Sequence, residues 1–273
     1  MLPVRALAGG LLVALVAGCA ADGAGDDDDA IASDDAALSA LEAEIGFDGA
    51  IERLDEAALE AIDRDARALE AEGVATSSIE SLTTKKTLHA ALRRGPVVKA
   101  GVKTKALRTL DVYDSDLFKL NELEKTLCRS HRIVCVRVAL AAFKARGASQ
   151  AAYRDGNVGG RIDAFRHTYW NAAMTRSVGE DHAKAWGDAH ENGYPQNRAT
   201  PKDRVLSDMD FFNNAVGREI GREHANSSDG KTKQAVRDAI ANGDVRAVRY
   251  DLGDRDGTLV PSSQCSDTVK CGT

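Results

Sequence analysis

The residues best suited to chemistry lie between positions 161 and 224, in three segments with helical periodicity. The segments read GRIDAFRHTYWNAAMTR, EDHAKAWGDAHENG and SDMDFFNNAVGREIGREH. Each combines histidines, carboxylates or asparagines with large aromatic and small residues. This composition favours polar groups held in a packed site over groups spread across a surface. The functional site is therefore predicted in this part of the chain.

The first segment places an acid and a histidine on one helical stripe. At about 100° per residue, Asp163, His167 and Asn171 align, with Trp170 at the edge of the stripe. A histidine one turn after an acid can act as a general base that the acid holds in one tautomer. Alternatively, Asp163 caps the helix and His167 is a hydrogen-bonded core residue.

The second segment carries its carboxylates and its histidine on opposite faces. Asp188 and Glu191 share one face, and His190 lies on the other. If the helix is regular, Asp188 and His190 cannot both reach one centre. A distorted last turn would let the carboxylates approach His167, and a histidine paired with an acid from a neighbouring helix can activate a water.

The third segment aligns Asp210, Asn214, Gly217 and Gly221, with Asn213 beside them. A glycine inside a helix costs roughly 1 kcal/mol relative to alanine, so the pair is predicted to permit close packing. The two asparagines could orient the polar groups of the other helices or donate to an oxyanion.

A divalent ion is the alternative use of these polar residues. His167, Asp188, Glu191 and Asp210 are acceptable ligands of zinc or calcium, but the i, i+4 histidine pair of a zinc helix is missing. A histidine–acid dyad is therefore preferred, and the cofactor is left unassigned.

The order of the motifs RHTYW, GDAHE and NNAVGR resembles that of a helical domain family of bacterial secreted proteins and lipoproteins, whose function is uncharacterised. The resemblance covers roughly residues 110–225. It implies no reaction, but it implies a set of site residues. These are Arg166, His167, Tyr169, Trp170, Asp188, His190, Glu191, Asn213, Asn214, Gly217 and Arg218. A weaker similarity is to the catalytic helix of bacterial phospholipases A2, where Thr168 replaces a calcium-binding Asp.

The first residues indicate export and lipidation. Residues 1–18 contain one arginine and a short apolar run, and small residues precede Cys19, as in the lipobox of bacterial lipoproteins. The run is shorter than the ~20 residues that span a bilayer. We therefore expect a signal peptide at 1–18 and a membrane tether at the lipidated Cys19. The chain should then lie in the cell envelope outside the cytoplasmic membrane, at the outer membrane in a Gram-negative bacterium.

Composition and periodicity divide the remaining chain into three parts. Residues 19–34 are acidic and predicted to be a disordered tether. Residues 35–109 are predicted to form a helical arm and a basic linker. Residues 110–273 are predicted to form a mainly α, bundle-like globular domain with a small C-terminal hairpin. Its apolar helix IVCVRVALAAFKARG is expected to be central and to end near Gly147.

The basic run of the linker indicates a solvated surface. The exported chain carries no nucleic-acid recognition motif, so a lipid or cell-wall ligand is expected rather than nucleic acid.

Four cysteines remain once Cys19 is set aside, and an even number in an exported chain predicts two disulfides. Short loops favour Cys128 with Cys135 and Cys265 with Cys271, but three pairings are open. Seven residues of straight helix span ~10 Å, whereas a disulfide needs Cα atoms within ~7 Å. The first bridge therefore requires a turn at residues 129–131.

Two functions from different classes follow. One is an envelope hydrolase of lipid or cell-wall esters, with His167 as base, Asp188 or Glu191 orienting it, and Asn214 or Asn213 stabilising charge. The residues expected to bind substrate or support the dyad are Asp163, Arg166, Trp170, Asn171, His190, Asn213 and Arg218. The alternative is a non-catalytic binding or structural lipoprotein in which the same residues form a buried network. The hydrolase requires a His167 that solvent can reach.

Overall fold

The computed structural model describes residues 27–94, 119–154, 156–250, 256–266 and 268–273, with the backbone alone for 27–35, 195 and 196. The α-helices in these ranges are α1 (Asp27–Ile51), α2 (Glu56–Ala71), α3 (Thr76–Arg93), α4 (Glu122–Ser130), α5 (Arg132–Ala152), α6 (Arg161–Val178), α7 (Glu180–Asn192), α8 (Pro201–Glu223) and α9 (Asp229–Asn242). The strands β1 (Arg246–Arg249) and β2 (Thr258–Pro261) form an antiparallel hairpin. The mainly α class and the small hairpin are thus confirmed. Within the described ranges, none of the helices has the length and apolarity to span a bilayer.

Helix α6 lies at the centre of the bundle, because four other helices cover its surface. It packs against α5, α7, α8 and α9, and its aromatic residues Phe165 and Tyr169 are fully buried. The paired glycines of α8 permit this packing. A Cβ atom at Gly217 would lie 2.2 Å from the Thr168 carbonyl oxygen, and one at Gly221 would lie 2.7 Å from that of Ala172. Close helix packing, as predicted, is the reason for this glycine pair.

The hairpin and the C-terminus secure the beginning of α6. The Val248 amide donates to the Gly159 carbonyl over 2.6 Å, and the Gly272 amide donates to the Val248 carbonyl over 2.8 Å. Gly159 has a φ of +77°, which favours glycine, and a Cβ there would lie 2.8 Å from Leu206. The turn before α6 is thereby fixed, and its Gly159 amide donates to the Asp163 carboxylate over 2.6 Å.

The expected arm does not have a core of its own. From Leu38 onward the chain forms one compact unit, and Phe47, Leu59 and Leu88 of α1–α3 belong to the same hydrophobic cluster as the core of α5–α7. Arg129 of α4 also donates to both oxygens of the buried Asp48, over 3.0 and 2.9 Å. The boundary expected at 109/110 lies outside the described residues.

Three segment boundaries differ from expectation. Helix α1 begins at Asp27, so the end of the predicted tether is helical, consistent with the preference for aspartates in the first turn, where the helix dipole favours negative charge. Within the range predicted to hold the arm and the linker, residues 76–93 form helix α3, because Ile79, Leu88 and Ala91 recur at helical spacing and are buried. Helix α5 continues past Gly147 to Ala152, since the next residues, ASQAA, are compatible with a helix.

Both disulfides favoured by loop length are present. Cys128 pairs with Cys135 and Cys265 with Cys271, with Cα separations of 4.8 and 5.6 Å. Helix α4 ends at Ser130 and α5 begins at Arg132, so His131 provides the required turn. Cys19 lies outside the described residues.

Candidate functional site

His167 lies at the centre of a cluster of three carboxylates from three helices. Its Nε2 atom is 3.4 Å from Asp163 Oδ1 on α6 and 3.5 Å from Asp210 Oδ1 on α8. Its Nδ1 atom is 3.4 Å from Glu191 Oε1 on α7. His167 is only 5% exposed. These separations are ion-pair contacts but are too long for good hydrogen bonds.

The four groups shift one another's pKa values in opposite directions. Burial lowers the pKa of His167, but Asp210, Asp163 and Glu191 together raise it well above its usual range. Burial raises the pKa of Asp163, but Arg166, His167 and the Gly159 amide lower it to about 2.

Burial and the two neighbouring carboxylates raise the pKa of Asp210 well above its usual range, and His167 offsets them only in part. Burial likewise raises the pKa of Glu191, but His167 and Asn214 bring it below its usual value. A buried imidazole that its neighbours keep protonated is poorly placed to accept a proton from a substrate.

The same cluster contains a set of atoms suited to a metal ion. One ligand atom each from Asp163, His167 and Asp210 lies within 4.8 Å of the other two. The Oδ1 atom of Asp210 and the Nδ1 atom of His167 are buried and have no hydrogen-bond partner among the described residues. Buried polar atoms are usually paired, and a cation at Asp210 Oδ1 or a water molecule would supply such a partner.

Amides from two helices hold Glu191 against His167. The Asn214 side chain donates to Glu191 Oε1 over 3.1 Å, and the Asn171 side chain donates to Asn214 Oδ1 over 2.6 Å. Arg218 in turn donates to Asn171 Oδ1 over 3.3 Å. A chain of polar contacts therefore runs from Arg218 to His167.

His190 forms a second histidine–carboxylate pair beside the cluster. Its Nδ1 atom lies 2.9 Å from Glu124 Oε1, and 35% of its side chain is exposed whereas Glu124 is buried. Trp170 and Tyr194 contact the ring edge to face, with centroid distances of 5.2 and 5.6 Å. The ring of His167 lies 5.9 Å away. His190 is thus fixed in place but remains open to solvent.

A capping box positions Glu124. Asn121 accepts the amide of Glu124 over 3.0 Å, and the Glu124 carboxylate accepts the amide of Asn121 over 2.8 Å. The Asn121 side chain also donates to the carbonyl of Ala189, the residue before His190. A Cβ atom at Gly193 would lie 2.1 Å from the Asn121 side chain. The Asn121 side chain thereby holds the beginning of α4 against the end of α7, which is where Glu124 contacts His190.

Several predicted site residues lie away from both histidines or support them indirectly. Asp188 pairs with Lys184 at the surface, because α7 is regular up to Asn192 and only Glu191 reaches His167. Asn213 is fully buried, but it binds the backbone of Arg246 on β1 through two hydrogen bonds of 2.9 and 2.8 Å. These bonds direct the Asn213 side chain towards β1, and its oxyanion role stays a prediction.

The other predicted residues take supporting positions. Arg166 pairs with Asp163, and Trp170 packs on His190 while its indole donates weakly to the Val138 carbonyl over 3.4 Å. Asp163 does not cap α6 in the ordinary way, since the N-cap residue is Gly160.

Sequence reasoning missed Glu124 and gave Asp210 only a metal-ligand role. The spacing of Asn121 and Glu124 is a capping-box signature that could have placed the acid at a helix start. Periodicity could not have revealed its partner, which lies 66 residues further along the chain. Asp210 is on the predicted stripe of α8, so its approach to His167 agrees with that pattern.

Comparison with known proteins identifies a domain but no activity. Residues 125–244 match the model of a family described as a domain of unknown function, DUF6973. The match includes all three motif helices and His190. Neither the curated proteins nor the solved structures gave a match to the chain.

Proposed function

We propose that the chain is an envelope-anchored hydrolase in which His190, oriented by Glu124, is the general base. The observation that carries the proposal is the 2.9 Å contact between His190 Nδ1 and Glu124 Oε1 in a ring that is partly open to solvent. A carboxylate only accepts hydrogen bonds, so Nδ1 donates and Nε2 of the neutral ring keeps the lone pair. This arrangement supports proton transfer from a water molecule.

The proposed reaction is hydrolysis of a lipid or cell-wall ester. Nε2 of His190 takes a proton from water, and the water oxygen bonds to the ester carbonyl carbon. When the intermediate collapses, the bond to the leaving alkoxide breaks, and this group takes the proton back from His190. Glu124 stabilises the imidazolium between the two steps. The substrate class rests on the predicted lipidation of Cys19.

His167 has a different role in this proposal from the one the sequence indicated. It is buried among three carboxylates, whereas a general base must reach the proton it removes. In this proposal His167 and its acids take no part in the proton transfer, and His190 contacts the attacking water. The polar motif residues remain part of the proposed site, but the general base is assigned to His190 instead of His167.

Hydrolysis of short p-nitrophenyl esters, phospholipid vesicles and purified peptidoglycan by the full chain tests the proposal. His190→Asn should lower kcat/KM about 100-fold, the lower end of general acid–base contributions. Glu124→Gln should cause a smaller loss that falls mainly on kcat, because a neutral amide stabilises an imidazolium less. His182→Asn is the matched control, since His182 lies on the same helix and its ring pairs with that of His131.

Two results would overturn the proposal. One is a wild-type chain that hydrolyses none of these substrates. The other is a His190→Asn variant as active as the wild type. Thermal melting of each variant separates a loss of chemistry from a loss of folding.

The second candidate function is a non-catalytic binding or structural lipoprotein. It is favoured by one observation, which is that Asn171, Asn214 and Glu191 are almost completely buried while they link three helices. Such a network can fix the packing of helices without any reaction. In that case the His190→Asn and His182→Asn variants would match each other in ligand binding and in stability, and neither they nor the wild type would turn over a substrate.

A further inference from the structure

We infer that Asp163, His167 and Asp210 bind a divalent transition-metal cation, and that Glu191 is the positioning residue for His167. The inference adds a cofactor to the site. A use of the cation in hydrolysis rests on the proposed function, whereas its binding does not. Nε2 of His167 is 3.4 Å from Asp163 Oδ1 and 3.5 Å from Asp210 Oδ1. Two ligands ~2.1 Å from a tetrahedral zinc ion lie ~3.4 Å apart. The two separations from Nε2 thus match those between ligands of one ion, and all three ligand atoms lie within 4.8 Å of one another.

The buried oxygen of Asp210 provides an independent indication. Its Oδ1 atom has no hydrogen-bond donor among the described residues although it is inaccessible to solvent. This oxygen lies 3.5 Å from Nε2 of His167, a residue that is only 5% exposed. Buried carboxylates are normally paired by hydrogen bonds or coordinate metals. A cation between Asp210 and Nε2 would satisfy both groups.

The other side of the imidazole is arranged as in metal-binding histidines. Nδ1 faces Glu191 Oε1 at 3.4 Å, on the ring atom that is not directed at the two aspartates. With the proton on Nδ1, the lone pair of Nε2 is available to the ion. Histidine ligands commonly donate their other ring N–H to such a carboxylate, which fixes the tautomer. Asn214 holds the same Glu191 oxygen over 3.1 Å.

Asp163 is also fixed for this role. The Gly159 amide donates to its Oδ2 atom over 2.6 Å, and Arg166 contacts Oδ1. A carboxylate oxygen has two acceptor positions, so Oδ1 can contact Arg166 and ligate an ion at once. Asp210 has the most exposed side chain of the three, at 15%. A coordination position open to water would therefore lie next to Asp210.

The donor set selects the class of ion. One imidazole nitrogen with two carboxylate oxygens suits zinc and related ions, and three protein ligands leave a position for water. Calcium and magnesium prefer sites made of oxygen alone. Two carboxylates also neutralise a dication when His167 is neutral. The ring of His190 lies 5.9 Å from that of His167, so the ion would belong to the same site as the proposed base.

Isothermal titration of the chelator-treated full chain with zinc chloride tests the inference, with calcium chloride as the comparison. The wild type should bind one zinc ion and show no comparable affinity for calcium. Asp210→Asn should abolish binding, and Glu191→Gln should weaken it about 10- to 100-fold, as is usual for residues that orient a ligand. Asp208→Asn is the matched control, because Asp208 lies on the same helix but pairs with Arg198 at the surface.

Surface histidines require a second control. His131 and His182 lie with their rings 5.0 Å apart and could bind zinc by themselves. The inference is wrong if the wild type binds no zinc, if Asp210→Asn and Glu191→Gln both bind like the wild type, or if His182→Ala alone removes binding. Zinc binding without ester hydrolysis would overturn the proposed function alone, whereas hydrolysis without zinc binding would overturn this inference alone.

Discussion

His167 and His190 lie with their rings 5.9 Å apart, yet their surroundings suit them for different chemistry. His167 has three carboxylates at 3.4–3.5 Å and a side chain that is 7% exposed. His190 has one carboxylate at hydrogen-bond distance and a side chain that is 35% exposed. The first environment favours a bound positive charge, and the second leaves part of the imidazole ring in contact with water. The number of neighbouring acids and the access of water distinguish the two roles.

The largest effect should come from exchanging each histidine for alanine in the metal-free protein. His167→Ala should lower the free energy of unfolding by about 3–5 kcal/mol, because it leaves buried carboxylates without their counter-charge. His190→Ala should lower it by only about 1 kcal/mol, since water can reach Glu124 once the ring is removed. Urea denaturation with chelator present measures both values. Equal values for the two variants would remove the distinction between the sites.

A smaller effect should follow from widening the gap between α6 and α8. Gly217→Ala places a methyl group 2.2 Å from the Thr168 carbonyl, so it should destabilise the chain by about 1–3 kcal/mol through overpacking. The displacement should disturb the contact of Asp210 with His167 more than that of Glu124 with His190. Zinc affinity should therefore fall more than esterase activity.

Gly147→Ala is the control for this change, because the added methyl group has no atom within 4 Å. It should stabilise the chain by up to about 1 kcal/mol through helix propensity. A Gly217→Ala variant as stable as Gly147→Ala would contradict the close packing of the two helices.

The smallest effect should come from Asp188, although the sequence indicated a catalytic role for it. Its carboxylate pairs with Lys184 four residues earlier on a solvent-facing surface, and such pairs contribute about 0.3–0.5 kcal/mol. Asp188→Asn should leave zinc binding and hydrolysis close to those of the wild type, in contrast to Glu191→Gln. Parallel titration and activity assays check this, and a loss comparable to that of Glu191→Gln would place Asp188 in the site after all.

Helical periodicity predicts which residues of each single helix face the buried centre. It placed Asp163, His167 and Asn171 on one stripe of α6, and these residues are buried together. It also aligned Asp210 and Asn214 with Gly217 on α8, which faces the same centre. Such patterns succeed here because each stripe is defined within one helix.

Contacts between helices could not be predicted in the same way. Glu124 reaches His190 because α4 and α7 are joined through Asn121, and no local pattern encodes the approach of these two helices. Asp188 and Glu191 share a face of α7 in a helical projection, yet the neighbouring helices bury only Glu191. The set of helices that form the site was therefore predictable, but the difference in burial between His167 and His190 depends on how these helices pack.

Modification of each histidine by diethyl pyrocarbonate, followed by peptide mass spectrometry with ester hydrolysis measured on the same samples, tests the assignment of the base most sharply. If His190 is the base, it should react well before the buried His167, and activity should fall in proportion to the unmodified fraction of His190. Full activity with His190 completely modified, or a loss that instead follows His167, would contradict the assignment of His190 as the base.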